Sequence, residues 1–448
     1  MYSITYEKKQ AIIKQAIVHP LHKIALDGLV LTFACALGVQ NFSYATSVLE
    51  ELKRRLTDSN ITKAQDGKVM RWILAGVSLD TDSTLPTDRD SLHLLIEFLE
   101  IYYPNFFAHL FSDHPIKKVP QSNLIDFPIS SDRLPSKALV IAPKHWWPGV
   151  LNTREHELYY ILPAIFLELN ISTEVVDAAN VQEVRGAISR MHSYDVVLFC
   201  CQNRAWGMEI HEQLSQALLE TSTKSICFFP DAWAAMSDTK YDQYLQIVNC
   251  VWGSPEVIEL PECRGIKPNG VSCFPLPIIQ DTVKVSRAVK KSESRVTFRG
   301  SIEETNFPRL LWYCLLYHDE KFNFITSSLR NDGLDARTSY HSYVKNLATA
   351  QKVCNFGARS SGEIVLTGRY SDTIYSGSLL IQQRCPEIGY FFVEDEHFVG
   401  FSSYEELLNQ SGEYEHTGKY RGIADEALKF ADSRYTAEKF VRHFMTFF

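Results

Sequence analysis

Phe298-Arg299-Gly300-Ser301 ends one apolar strand, and Arg369-Tyr370-Ser371-Asp372 leads through Gly377 into another, Ser378-Leu379-Leu380-Ile381. Both turns bring arginine together with hydroxyl or carboxyl groups, and Arg309 follows the first of them. A guanidinium forks onto phosphate oxygens, while short polar side chains bond sugar hydroxyls. A phosphorylated ligand rich in hydroxyls, such as a nucleotide sugar, suits both turns.

Working outward, the surrounding residues alternate strand and helix. Val296–Phe298, Phe322–Thr326, Lys352–Phe356 and Leu379–Gln382 read as short buried strands, with helices over Arg309–Tyr317, Ser339–Ala350 and Tyr370–Ser376. Upstream, strands over Lys137–Ala142, Ser172–Asp177, Tyr194–Cys201, Ser225–Phe229 and Gln246–Trp252 alternate with helices over Glu155–Leu169, Val181–Met191 and Ile210–Leu219. Continuous apolar strands joined by helices make parallel sheets covered on both faces. The alternation breaks at Pro275-Leu276-Pro277 and a charged stretch, so two sheets joined by a hinge are expected. The expected fold class is α/β, with two Rossmann-like domains facing across a cleft behind an all-α N-terminal domain. The expected boundaries are 1–115 for a helical accessory domain, 116–136 for a linker, 137–283 for the first Rossmann-like half and 284–448 for the second with its closing helices. Ligands bind beyond the carboxyl ends of such sheets, and closure about residues 276–295 is expected to accompany binding.

Composition narrows the classes. A chain of 448 residues with formal charge −8 lacks the global positive field of a nucleic-acid binder. Its ten cysteines lie scattered in apolar runs with no C-x-x-C pair, as buried thiols in a reducing compartment do. The first residues lack the apolar core of a secretory signal. The longest uncharged apolar run, Leu29–Val39, is about half a membrane span. A cytoplasmic protein is expected, with peripheral membrane docking left open. Dinucleotide, Walker, G-x-S-x-G and H-E-x-x-H motifs are absent. Asp80-Thr81-Asp82 has the D-x-D form that holds a metal in other transferases, but it lies in the helical region and reads as a solvated loop. Glu394-Asp395-Glu396-His397 reads as an exposed turn.

This layout resembles the GT-B glycosyltransferases, and the second half resembles their CgeB-like and capsule-associated branches. The resemblance is carried by Phe298-Arg299-Gly300-Ser301 with Arg309, Lys352-Val353-Cys354-Asn355-Phe356, Arg369-Tyr370-Ser371-Asp372 with Gly377, Glu405-Glu406-Leu407 and the helix at Ile423-Ala424. It covers about 150 residues at the C-terminus, extends to residues 137–283 as a fold pattern only, and does not reach residues 1–115. The family commonly has Glu where this chain has Asp372. Its paired-glutamate motif is missing here, with Ile364 in that place, so stereochemistry stays open.

The resemblance implies transfer of a sugar from a nucleoside diphosphate sugar, most simply a UDP- or GDP-sugar, to a protein or glycan acceptor without an obligatory metal. Arg299, Arg309 and Arg369 would hold the diphosphate, assisted by Ser301, Ser371 and amides after Gly368. Asp372 would accept from ribose or sugar hydroxyls, and Gly377 would permit close backbone approach. A base on the acceptor side would come from Asp231, His145 or His156, with His211 a weaker choice. Each residue also has a structural reading: ion pairs for the arginines, helix caps for the serines and acids, aromatic anchoring for His145. A nucleotide-sugar epimerase and a non-catalytic scaffold using the helical domain to bind a partner are the competing functions.

Overall fold

The computed structural model describes residues 5–57, 73, 88–103, 124–145, 155–200, 206–230, 239–259, 265, 267–300, 307–326, 334–357, 365–416 and 419–448. Two parallel sheets organise it. The first holds β1 (Lys137–Ala142), β2 (Ser172–Asp177), β3 (Val196–Cys200), β4 (Lys224–Phe229), β5 (Cys250–Gly253) and β6 (Val271–Ser272), in the order β2-β1-β3-β4-β5-β6. The second holds β7 (Glu293–Gly300), β8 (Phe322–Thr326), β9 (Ala350–Asn355), β10 (Leu379–Gln383) and β11 (Val399–Phe401), in the order β11-β10-β9-β7-β8. All pairings are parallel, for example Ala138↔Val196 between β1 and β3 and Thr297↔Val353 between β7 and β9. Counted within each sheet, both orders run 2-1-3-4-5, and the first adds β6. Each chain path therefore reverses direction across the sheet between its first and third strands, β1/β3 and β7/β9. That is where a doubly wound sheet opens a crevice.

Apolar strands dictate this arrangement. β3 and β10 are buried along their whole length, which only helices on both faces achieve. Helices Leu158–Leu167, Val181–Ser189 and Met208–Glu220 serve the first sheet, and Phe307–Leu316, Ala336–Thr349 and Arg369–Tyr375 the second. Among the described residues every cysteine is buried and none forms a disulfide. No described helix is long and apolar enough to cross a membrane.

Helices Tyr6–Ile17, Leu26–Gly38, Phe42–Thr57 and Arg89–Tyr102 make up the N-terminal part. Their core is continuous with the second sheet: Phe33, Leu52 and Phe98 belong to one buried cluster with Phe298, Trp312 and Phe356. The helical segment thus packs on the half that follows it last in sequence. The final helix, Ala437–Phe444, crosses the other way and packs on the first sheet, its Phe440 and Phe444 rings 4.7 and 5.6 Å from Trp252. Its His443 links three segments. The Pro128 carbonyl can only accept, so Nδ1 donates to it at 2.8 Å, and Nε2 accepts from Ser272 Oγ at 2.8 Å.

Several expectations change in the fold. The helix expected from Glu155 starts at Leu158, because Glu155 serves the other half, accepting the Ala336 amide at 2.9 Å and pairing with Lys144 at 3.1 Å. The expected linker is packed where it is described. Phe127 packs among the rings of Phe274, Phe391 and His443, and Ile125 N donates to Tyr390 O. Part of the expected hinge is a helix, Gln280–Arg287, bound to the second half through Asp281 with Arg337 and Ser286 Oγ with Tyr375 O, and the hinge's end already belongs to β7. The acidic turn is not wholly exposed. Asp395 and Glu396 face solvent, but Glu394 is buried in an ion pair with Arg384, and His397 is buried against Phe430. β6, β11 and helix Gln280–Arg287 were not anticipated, being too short or too charged for periodicity to reveal. The D-x-D element at 80–82 lies outside the described residues.

Candidate active site

The second sheet's crossover, β7/β9, is built from small and polar residues where the strands end. Gly300 closes β7 and Asn355 closes β9. Arg369, opening the next helix, lays its guanidinium over both. Nη1 donates to Asn355 Oδ1 at 2.9 Å, and Cζ sits 5.0 Å from the Phe298 ring centre. A Cβ on Gly300 would stand 3.0 Å from Arg369 Cζ and closer still to Nη2, so a side chain here would push the guanidinium off its seat. Arg369 Nε is buried without a partner.

Around this seat, Arg299 and Asp372 meet groups that the sequence did not point to. Arg299 lies over the Tyr343 ring at 5.5 Å. Tyr340 Oη donates to Asp372 Oδ1 at 2.8 Å. Burial pushes the Asp372 carboxyl up to about 7. The Tyr340 bond opposes that shift, Glu157 from the first half adds to it, and Arg369 opposes it. Burial likewise raises the Tyr343 phenol. Asp372, Tyr340, Tyr343, Arg299, Arg369 and Glu157 thus form one electrostatic neighbourhood spanning both halves.

Beside it opens a cavity of about 300 Å³ between the carboxyl ends of the two sheets. The first sheet contributes Phe228, Trp252 and Glu256, and the second contributes Gly357, Thr367 and Ser371, with Arg309 from the helix after β7. Arg309 is 8% exposed and its Nε donates to Phe356 O at 3.4 Å. Ser371 Oγ donates to Gly368 O at 2.8 Å, closing the first turn of a helix of only seven residues. A helix that short contributes little macrodipole, so side-chain cations dominate here.

Arg299, Arg369 and Asp372 gather at the crossover, and Arg309 and Ser371 on the cavity wall. Gly377 does not join them. It follows the helix at the amino-terminal edge of β10, with φ +68 and nothing nearer a built Cβ than Leu428 at 3.7 Å. Its left-handed backbone, not close approach, explains the glycine. Ser301 and Asp231 lie outside the described residues. His145 follows the end of β1, at the first sheet's own crossover. His156 accepts the Leu158 amide on Nδ1 at 3.1 Å, and burial pushes its pKa down to about 3. Its ring proton therefore sits on Nε2, the tautomer that leaves no lone pair for a base. His211 is packed among Trp206, Tyr241 and Tyr244 in the core. Asn355 had a legible signal, a polar residue ending an apolar strand. Glu157, Tyr340 and Tyr343 had none: packing within the second half brings the two tyrosines to Asp372 and Arg299, and the packing of the halves brings Glu157.

Two doubly wound parallel sheets whose carboxyl edges face one cavity, behind an all-α N-terminal segment, constitute the GT-B architecture. No protein-family model matches the chain, and no curated protein matches it in sequence. Solved structures resemble it in shape. An alpha-glucosyltransferase in complex with UDP-glucose and DNA containing an abasic site aligns over 69% of this chain and 99% of that one, at 8% identity and TM-score 0.49. AviGT4, a glycosyltransferase involved in avilamycin A biosynthesis, aligns over 70% and 97% at 11% identity and TM-score 0.45. HepE of Anabaena in complex with UDP-glucose aligns over 69% and 99% at 10% identity and TM-score 0.43. The architecture stands on the strand pairing. At these identities and scores the likenesses carry nothing about residues or substrate.

Proposed function

We propose that the chain is a glycosyltransferase taking its sugar from a nucleoside diphosphate sugar, a UDP- or GDP-sugar, and passing it to a protein or glycan acceptor. The observation that carries this reading is the seating of Arg369. Its guanidinium lies over Gly300 at the β7/β9 crossover, anchored by Asn355, beside the cavity between the two sheets. A diphosphate leaving group needs fixed cations. Arg369 and Arg299, with Arg309 on the cavity wall, supply them without calling on a metal. Ser301, beyond Gly300, adds a hydroxyl donor to the same anion, and Ser371 does so when its hydroxyl turns away from the Gly368 carbonyl. Asp372 serves donor hydroxyls only when it shares its carboxylate with Tyr340.

The acceptor enters from the first half, residues 137–283, and the donor is held by 284–448. His145, at the β1 crossover, is the favoured acceptor-side base. Asp231, after β4, is its alternate, and the protonated Nε2 of His156 suits it to donating a hydrogen bond. A thermal-shift series against UDP, GDP, CDP, TDP and their sugars, with Arg369→Ala beside the wild type, tests the reading. A ligand at a hundred times its dissociation constant adds about 2.7 kcal/mol. Stabilisation by one nucleotide that disappears in the variant is the expected result. No shift with any nucleotide overturns the reading in favour of a scaffold.

A further inference from the structure

Asn355 is fully buried at the end of β9, and its surroundings fix which way its amide points. Gln382 Nε2 donates to the Gln383 carbonyl at 2.7 Å, which leaves Gln382 Oε1 to accept from Asn355 Nδ2 at 2.7 Å. Asn355 Oδ1 is thereby turned toward Thr367 Oγ1 and Arg369 Nη1, both at 2.9 Å. Gln382 and Gln383 are also fully buried, so this amide relay cannot trade its bonds for water. It holds Arg369 by a neutral acceptor. Among the described residues no carboxylate forms an ion pair with Arg369, whose Nε is buried without a partner and whose Nη2 lies over Gly300. The nearest acid on its helix, Asp372, is engaged by Tyr340.

We propose that Asn355 is a positioning residue for anion capture: its carboxamide, oriented by Gln382, aims the Arg369 guanidinium into the cleft without cancelling its charge. The inference rests on the donor-site reading above and sharpens it. An aspartate in this place would still accept from the guanidinium, but it would lose the donor that Gln382 Oε1 binds and would hold Arg369 as an ion pair, leaving little positive charge for a diphosphate. A neutral acceptor separates the two tasks. The fold supplies aim, and the ligand supplies the counter-charge.

The test is titration calorimetry of the full chain with pyrophosphate and with UDP, comparing wild type, Asn355→Asp, Arg369→Gln and the double variant. Asn355→Asp should bind pyrophosphate about tenfold more weakly, with a flatter dependence on salt, because an internal carboxylate has replaced the ligand's charge. The same change in the Arg369→Gln background should cost nothing further. Wild-type affinity in Asn355→Asp, or an equal loss in both backgrounds, overturns the inference while leaving the donor site standing. Wild-type protein that binds neither pyrophosphate nor any nucleoside diphosphate overturns both. If Asn355→Asp fails to fold by circular dichroism and gel filtration, Asn355→Ser carries the test, since it keeps a neutral acceptor but shortens it. A loss of about threefold that is coupled to Arg369 supports positioning. Unchanged or uncoupled binding overturns it.

Discussion

Replacing Asp372 with asparagine removes a carboxyl that burial and the charge of Glu157 hold in its protonated form. The carboxyl is raised from 3.8 to about 7 in the folded chain, so the native state binds the proton more tightly than the unfolded state does. The stability tied to that proton is fully present below the unfolded value, and it is lost as pH rises through about 7. Full ionisation of a group shifted this far corresponds to about 4 kcal/mol, at about 1.4 kcal/mol per tenfold in proton affinity. Asp372 keeps partial access to water, so the expected loss is roughly 2–4 kcal/mol. Asparagine still accepts from Tyr340 Oη but has no proton to lose. Urea unfolding of wild type and Asp372→Asn, run in parallel from acid to mildly alkaline pH, isolates this carboxyl because every other titration is common to both. The asparagine variant should gain on the wild type steadily as pH rises, and the gap should level off above neutrality. A gap that stays constant across the series would refute the reasoning, because Asp372 would then ionise alike in folded and unfolded chains.

Gly300→Ala should displace Arg369 from its seat, costing the roughly 1.5–3 kcal/mol of a charged phosphate contact. Calorimetry with UDP should read this as weakened binding, while unfolding without ligand moves little. Gly377→Ala places a side chain at φ +68 with room around it, so about 1–2 kcal/mol of stability should be lost. Nucleotide affinity should not change, and a loss of binding there would return Gly377 to the site. Arg384 is 3% exposed and bonds both Glu394 and Glu406. Arg384→Met takes the guanidinium from the buried Glu394 and should cost about 3–5 kcal/mol in urea unfolding.

Much of the architecture was legible because parallel strands buried on both faces write themselves as continuous apolar runs. Ser172–Asp177 and Phe322–Thr326 are strands over the residues that the pattern marks, and Lys137–Ala142 likewise. The same logic fails for Val271–Ser272 and Val399–Phe401, which are held by their neighbours and not by their own composition. It fails also for Gln280–Arg287, whose charges mask a helix that binds the second half through Asp281. At the site, the arginines announced themselves by chemistry beside strand ends. Gly377 misled because glycine serves both close approach and left-handed backbone, and sequence does not say which. Glu394 misled because its partner Arg384 becomes a neighbour only after β10 and β11 pair.

By itself the sequence determined what local pattern and side-chain chemistry can determine: which segments are strands or helices, that the sheets are parallel, and which turns carry phosphate-binding groups. Tertiary structure alone decided that the N-terminal helices share a core with the second sheet, that the last helix returns to the first, and that Glu157 faces the surroundings of Asp372. It also decided that Asn355 holds Arg369 and that Tyr340 holds Asp372. The physical reason is range. Periodicity and turn chemistry act over a few residues, whereas desolvation, amide orientation and the pairing of buried charges depend on groups that only the folded chain brings within a few ångströms of one another.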